Sequence, residues 1–284
     1  MTILQIVWDV SPEVFPGTAI PVRWYGLLFA SGFVIAYLLM MRIFKREGVP
    51  IKHLEDLTLY IGIGTVVGAR LGHCLFYEPS IYLAEPIRIL YIWEGGLASH
   101  GAAVGILLAL YLFTRKYKYH YVGMLDKLAV VIPVAGAMVR FGNLANSEIY
   151  GKATTLPWGF EFRQSYVAAH RFEPHHPTQI YEALAYLFIT LLLWKLYHGK
   201  KRQPTGFLFG LFLVLLFTMR FLIEFVKEPQ VLFEADMALN MGQLLSVPFI
   251  IAGGVMMVLS KRGRPADSPA ESVKDATTNN EQQP

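Results

Sequence analysis

Seven long apolar stretches, near residues 22–41, 57–77, 96–114, 124–140, 180–194, 205–226 and 241–260, are separated by connections whose charge alternates. The first connection carries Arg42, Lys45, Arg46 and Lys52. Arg115, Lys116, Lys118 and Lys127 follow the third stretch, Lys195, Lys200, Lys201 and Arg202 the fifth, and Lys261, Arg262 and Arg264 the seventh. The second connection sets Arg88 against Glu78, Glu85 and Glu94, and the sixth sets Lys227 against Glu228, Glu234 and Asp236. Clusters of Lys and Arg stay on the cytoplasmic side when a membrane protein inserts. The pattern therefore predicts an all-α polytopic membrane protein with seven transmembrane helices, its N-terminus outside and its C-terminus in the cytoplasm.

Bulk composition agrees. Mean hydropathy is +0.42, with 54% hydrophobic and 16% charged residues, and several stretches approach the roughly 20 apolar residues that cross a bilayer as a helix. The spans leave no room for a separate globular unit, so residues 1–260 are expected to form one transmembrane domain. Residues 261–284, rich in Pro, Ser, Asp, Asn, Glu and Gln without an apolar face, are expected to be a disordered cytoplasmic tail. A sequence pI near 9.0 would suggest nucleic acid in a soluble protein. Here the basic residues are explained as anchors beside anionic membrane lipid, and no nucleic-acid partner is expected. The N-terminal segment lacks the basic start and small-residue cleavage pattern of a secretory signal, so the first span reads as retained. The single cysteine, Cys74, cannot form an internal disulfide and reads as a packing residue.

Several spans hold groups that a lipid-facing helix would not carry. Arg70 and His73 end the second, His100 begins the third, Arg140 ends the fourth, and Arg220 and Glu224 lie toward the outer end of the sixth. With the predicted topology all six come toward the external leaflet. Intramembrane charges persist where they pair, reach the interface or line a cavity, so their convergence predicts a shared polar cavity. Gly62, Gly64 and Gly68, with Gly101 and Gly105, allow the close helix approach that such a cavity requires. Arg220 and Glu224, four residues apart, have the spacing of a helical ion pair.

The densest polar cluster is RFGNLANSEIYG, residues 140–151. Arg140 offers a bidentate fork for phosphate, Asn143 and Asn146 offer amide donors, and Glu148 can orient a cation or a hydroxyl. Gly142 is expected to permit a tight exit from the helix. An anionic-headgroup site fits this set better than a plain helix cap. The residues alone leave an enzyme, an anion or lipid transporter, and a membrane scaffold open.

RFGNLANSEIYG resembles the signature of the bacterial phosphatidylglycerol–prolipoprotein diacylglyceryl transferase family. So do RWYGL at 23–27, GGLASHGA at 95–102, HPTQIYE at 176–182, RFLIEFVKEP at 220–229 and MGQLLSVP at 241–248, in the order in which that family carries them. Two departures bear on local packing and lipid selectivity. Leu144 stands where phenylalanine is common, and Ala-Ser-His-Gly-Ala surrounds His100 where many members read Ser-Phe-His-Gly-Gly.

The resemblance implies transfer of sn-1,2-diacylglyceryl from phosphatidylglycerol to the thiol of a lipobox cysteine in a preprolipoprotein, with release of glycerol phosphate. It implies a bacterial cytoplasmic (inner) membrane location with the site on the external side, and no metal or soluble cofactor. The family residues fall on Tyr25, His100, Arg140, Asn143, Glu148, Gly151, Arg220 and Glu224. Arg140 and Arg220 are expected to stabilise the phosphate leaving group. His100 is the candidate for taking the thiol proton, unless the arginines alone lower the thiol pKa and His100 orients substrate. Tyr25, Asn143 and Asn146 are expected to contact headgroup oxygens, and Glu148 and Glu224 to position arginines. Gly151 closes the signature, and His176 opens another block as a further substrate-binding candidate.

Overall fold

The computed structural model describes residues 6–17, 22–92, 95–228 and 239–260. The tail at 261–284, and with it Lys261, Arg262 and Arg264, lies outside the described residues, as do Glu94, Glu234 and Asp236. Eight helices are described: α1 Trp24–Arg46, α2 Ile51–Phe76, α3 Pro79–Ala84, α4 Ser99–Tyr117, α5 Tyr121–Ala145, α6 Thr178–His198, α7 Phe207–Ile223 and α8 Met241–Ser260. Strands β1, Ile6–Trp8, and β2, Phe160–Phe162, form one parallel ribbon with Ile6 opposite Phe160 and Trp8 opposite Phe162.

The chain is an all-α, polytopic membrane protein. Among the described residues six helices are long and apolar enough to cross a membrane, Trp24–Arg46, Ile51–Phe76, Tyr121–Ala145, Thr178–His198, Phe207–Val226 and Met241–Ser260. The stretch expected as the third span is the 19-residue helix α4, which begins with Ser99 and His100 and ends with Arg115, Lys116 and Tyr117. Those polar ends set it apart from the six. Where the sequence pattern closes the fourth span at 140, α5 continues to Ala145, so Arg140 and Asn143 stand on a regular helix.

Contacts gather the chain into two compact units, one built on residues 1–39 and 125–265, the other on 40–124. In the second unit α2 packs on α4 through glycine. A Cβ added to Gly68 would lie 2.4 Å from the Gly101 carbonyl oxygen, and one on Gly64 would lie 2.6 Å from that of Gly105. Gly62 takes no part, since a Cβ there would meet nothing within 4 Å. Arg70 is 2% exposed and donates to the carbonyls of Arg88, Ile89 and Gly95 while lying over the Tyr82 ring. It latches the segment between α2 and α4, because a buried guanidinium must spend its donors, and loop carbonyls take them here. His73 reaches Glu78 at 3.3 Å. These two residues thus have local structural partners.

The first unit contains the ribbon, whose side chains join Leu144 and Tyr150 in a small core around the fully buried Phe162. Burial of one such ring contributes about 1.5–3 kcal/mol. Trp8 Nε1 donates to the Leu144 carbonyl at 2.9 Å and so ties β1 to the end of α5. α7 and α8 also meet through glycine, with a Cβ on Gly253 falling 2.6 Å from the Gly210 oxygen. The first turn of α7 is capped from afar. Asp126 on α5 accepts from the backbone N–H of Gly206 at 2.7 Å and of Phe209 at 2.8 Å, satisfying donors that a helix start leaves open.

Candidate active site

Arg140 sits four helical turns along α5 from Asp126, half-buried, and its Nε lies 2.7 Å from Glu182 Oε2. Glu182 is on the first turns of α6 and has no exposed surface. Its other oxygen is 3.4 Å from Lys227 Nζ. Lys227, 2% exposed, is in turn 3.9 Å from Glu224 Oε2. Removal from water would make any one of these charges very costly alone, and sharing carboxylates between cations offsets that cost. Burial also pushes the Lys227 ammonium below its ordinary pKa, an effect opposed by Glu182 and reinforced by Arg140.

A second chain of polar contacts leaves Arg140 on its Nη side. Nη1 donates to Asn143 Oδ1 at 3.2 Å, and Asn143 Nδ2 donates to Glu148 Oε1 at 2.8 Å. Asn146 Nδ2 donates to the same oxygen at 3.2 Å. Glu148 thus holds the two amides, and Asn143 holds the arginine. The turn that returns Glu148 toward α5 needs Ser147 and Ile149 at φ 53° and 58°, a left-handed conformation that is costly for a β-branched residue. Two residues of α6 hold it in place: Thr178 Oγ1 donates to the Ile149 carbonyl at 2.9 Å, and Gln179 Nε2 donates to that of Glu148 at 2.7 Å.

Gly142 does not end the helix as expected. A Cβ there would fall 2.8 Å from Tyr25 Cδ2, so glycine lets the half-buried Tyr25 ring lie on the turn of α5 that carries Arg140 and Asn143. Gly151 is held at a backbone junction. Its N–H donates to the His176 carbonyl at 2.8 Å, it bridges to Lys227, and a Cβ would fall 2.3 Å from the Val226 oxygen. Close backbone packing is what the geometry gives Gly151. His176 pairs through Nδ1 with the Tyr181 hydroxyl at 3.2 Å, and burial, with neighbouring His175, lowers its pKa.

Arg220 and Glu224 do not form the expected ion pair. α7 ends at Ile223 and Glu224 opens a 3₁₀ turn through Val226, and in such a turn side chains three apart eclipse, which sets Lys227 beside Glu224. Glu224 faces Lys227 instead and lies against α8, where a Cβ on Gly242 would fall 2.6 Å from its Cδ. The α8 start is a reciprocal cap, Gln243 N–H donating to Asn240 Oδ1 at 2.9 Å and Asn240 N–H to Gln243 Oε1 at 3.1 Å. The positive end of α8 stands beside the Glu224 carboxylate. Among the described residues no ion pair engages Arg220, which is half-buried near Tyr186 and Lys227.

The first unit thus brings together Tyr25, Arg140, Asn143, Asn146, Glu148, Gly151, His176, Arg220 and Glu224. His100 belongs to the second unit, exposed in the first turn of α4. Glu182, Lys227, Thr178, Gln179 and Gly242 complete the cluster beyond the predicted site residues. Glu182 carried a signal in the sequence, a carboxylate inside an apolar helix. Lys227 lies seven residues after Arg220, close to two helical turns. Asn146 Oδ1, Ser147 Oγ and Gln179 Oε1, on the turn after α5 and the first turn of α6, are buried without a hydrogen-bond partner. Orphaned polar atoms are uncommon in native interiors, and these three suit a polar ligand.

The family model described as prolipoprotein diacylglyceryl transferase matches residues 12–259. A phosphatidylglycerol–prolipoprotein diacylglyceryl transferase of Tolumonas auensis is 48% identical over 259 residues, covering 91% of this chain and 98% of its own. That of Porphyromonas gingivalis is 45% identical over 261 residues, covering 87% and 92%, and that of Bacteroides fragilis 42% over 264, covering 88% and 94%. With almost the whole length matched on both sides, this chain belongs to the prolipoprotein diacylglyceryl transferase family.

Proposed function

We propose that this protein transfers the diacylglyceryl group of phosphatidylglycerol to the lipobox cysteine thiol of a preprolipoprotein. The cysteine sulfur attacks the glyceryl carbon, the bond from that carbon to the phosphate oxygen breaks, and glycerol phosphate leaves with the electron pair. The thiol proton passes to a base. The supporting observation is the contrast between two guanidinium groups in one polar cluster. Arg140 is fixed by Glu182 and Asn143, whereas Arg220 has no carboxylate within ion-pair distance among the described residues. A phosphate oxygen gaining charge in the transition state fits between a pre-oriented fork and an uncommitted one.

In this reading Arg140 and Arg220 bind the leaving phosphate, Glu182 and Asn143 orient Arg140, and Glu224 balances Lys227. Tyr25, Asn143 and Asn146 meet headgroup oxygens, Glu148 aligns the two amides, and His176 lines the approach. His100 takes the proton, an assignment supported by its sequence block. The membrane domain covers 1–260 in seven spans, α4 included, with the N-terminus and reaction site outside and the tail in the cytoplasm. The charge alternation of the loops supports that orientation. The protein acts in the bacterial cytoplasmic membrane with lipid and preprolipoprotein as its partners.

Mass spectrometry of a lipobox peptide incubated with purified protein and phosphatidylglycerol tests the activity. A diacylglyceryl mass gain on the cysteine peptide, absent from its serine counterpart and accompanied by glycerol phosphate, is expected. No gain from folded protein would exclude the reaction. Accessibility of single cysteines placed in the 85–92 and 118–120 connections to an impermeant reagent on intact cells tests the orientation, with labelling expected for the former only.

A further inference from the structure

The surface of the α2–α4 pair carries a groove of about 890 Å³. Its floor is backbone, because Gly64 and Gly68 of α2 meet Gly101 and Gly105 of α4. Its walls are two rows at four-residue spacing. Ile63, Val67 and Leu71 stand along α2, and His100, Val104, Leu108 and Leu112 stand along α4. Side chains four apart on a helix share a face, so His100 is the polar end of an otherwise aliphatic wall. From His100 to Leu112 the rise is about 18 Å at ~1.5 Å per residue. One leaflet of hydrocarbon is about 15 Å deep, half of a core of ~30 Å.

We propose that this groove seats one acyl chain of the phosphatidylglycerol substrate, its glycerol end beside His100 and its methyl end toward Leu112. The proposal rests on the transferase reading above and adds where the lipid tail lies. Three features select this occupant. The groove has the depth of one leaflet, its one histidine lies where a headgroup begins, and the glycine contacts leave a trough rather than a flat face. A peptide helix, about 10 Å across, would ride on the two rows of side chains, whereas an extended hydrocarbon chain enters between them. Such a trough gains binding energy for every methylene it covers, so it acts as a gauge of chain length.

Leu112→Trp shortens the trough at its methyl end, and because Leu112 is 51% exposed the change does not enter the packed interior. The purified full-length chain is given a lipobox peptide with equal amounts of dilauroyl and dipalmitoyl phosphatidylglycerol in detergent, and the two products are weighed. Relative to wild type, the variant is expected to lower the dipalmitoyl share at least about fourfold, the effect of one methylene left unburied. Leu191→Trp, at an exposed position on α6, keeps the wild-type ratio. An active Leu112→Trp protein with an unchanged ratio overturns the proposal. A wild-type protein that modifies no peptide with either lipid sinks the transferase reading instead.

Photolysis of wild type with phosphatidylglycerol bearing a diazirine at the acyl terminus needs no turnover and decides the case in which Leu112→Trp is inactive with both lipids. Label at Leu59, Tyr60 or Leu112, lost on adding excess dipalmitoyl phosphatidylglycerol, supports the groove. Competed label confined to other helices rules it out.

Discussion

Arg140 Nε and Glu182 Oε2, on different helices and 42 residues apart in the sequence, lie 2.7 Å from each other. The contact fixes the plane of the guanidinium while Asn143 takes one N–H of its outer edge. An ammonium on a flexible stem cannot reproduce two such directed bonds.

Arg140→Lys is therefore expected to lower turnover despite keeping the charge. Loss of one charge-assisted hydrogen bond costs about 1.5–3 kcal/mol, or roughly 10- to 100-fold in rate. Diacylglyceryl transfer at matched folded protein measures it, and equal rates would remove Arg140 from the phosphate site.

Glu182→Gln leaves Arg140 and Lys227 facing each other without their shared anion. Breaking a buried pair from one side costs about 3–5 kcal/mol. Thermal unfolding in detergent should show a large loss for Glu182→Gln and a partial recovery when Lys227→Met is added. Additive effects of the two changes would contradict the shared contact.

The α2–α4 contact makes glycine positions unequal. Gly68→Ala pushes a methyl group into the Gly101 carbonyl and is expected to destabilise by about 1–3 kcal/mol. Gly62→Ala meets open space and is expected to gain up to about 1 kcal/mol from helix preference. Unfolding temperatures of the two variants should move in opposite directions.

His176 titrates below the ordinary histidine range, first because of burial and then because of His175. A depressed folded pKa means that the unfolded chain binds more protons between the two values, so stability rises with pH there. The contribution is present above about pH 6.5, the unfolded value, and is lost as pH falls toward the lower folded value. His176→Gln should flatten the unfolding temperature between neutral and mildly acidic pH, and an unaltered slope would assign the acid sensitivity to other groups.

Much of this organisation is legible from residue order. Apolar run length locates the helices because hydrocarbon leaves the backbone no other way to satisfy its polar groups, and the glycine pairs Gly64–Gly105 and Gly68–Gly101 follow from small-residue spacing. Arg140, Asn143 and Glu148 are close in sequence, so their mutual contacts are nearly forced by a helix end and one turn. Less was legible where partners come from distant segments. Gly142 reads as a helix terminator until Tyr25 is seen lying on it. Arg70 reads as a cavity cation, but carbonyls of a later loop take its donors. The Arg220–Glu224 spacing suggests an ion pair, but a 3₁₀ turn beginning at Glu224 brings Lys227 to that carboxylate instead. Glu182 shows its intramembrane charge in the sequence, yet its choice of Arg140 and Lys227 depends on two helices and the segment after α7.

The long-distance cap on α7 has a consequence for biosynthesis. Asp126 and Gly206 are 80 residues apart, so a nascent chain that has delivered α5 and α6 holds a carboxylate whose backbone partners have not yet been made. Until α7 arrives, Asp126 must keep water, a lipid headgroup or the insertion machinery beside it. A chain arrested before Gly206 lacks the donors that bury this carboxylate, so the start of α5 keeps its solvation until α7 is made.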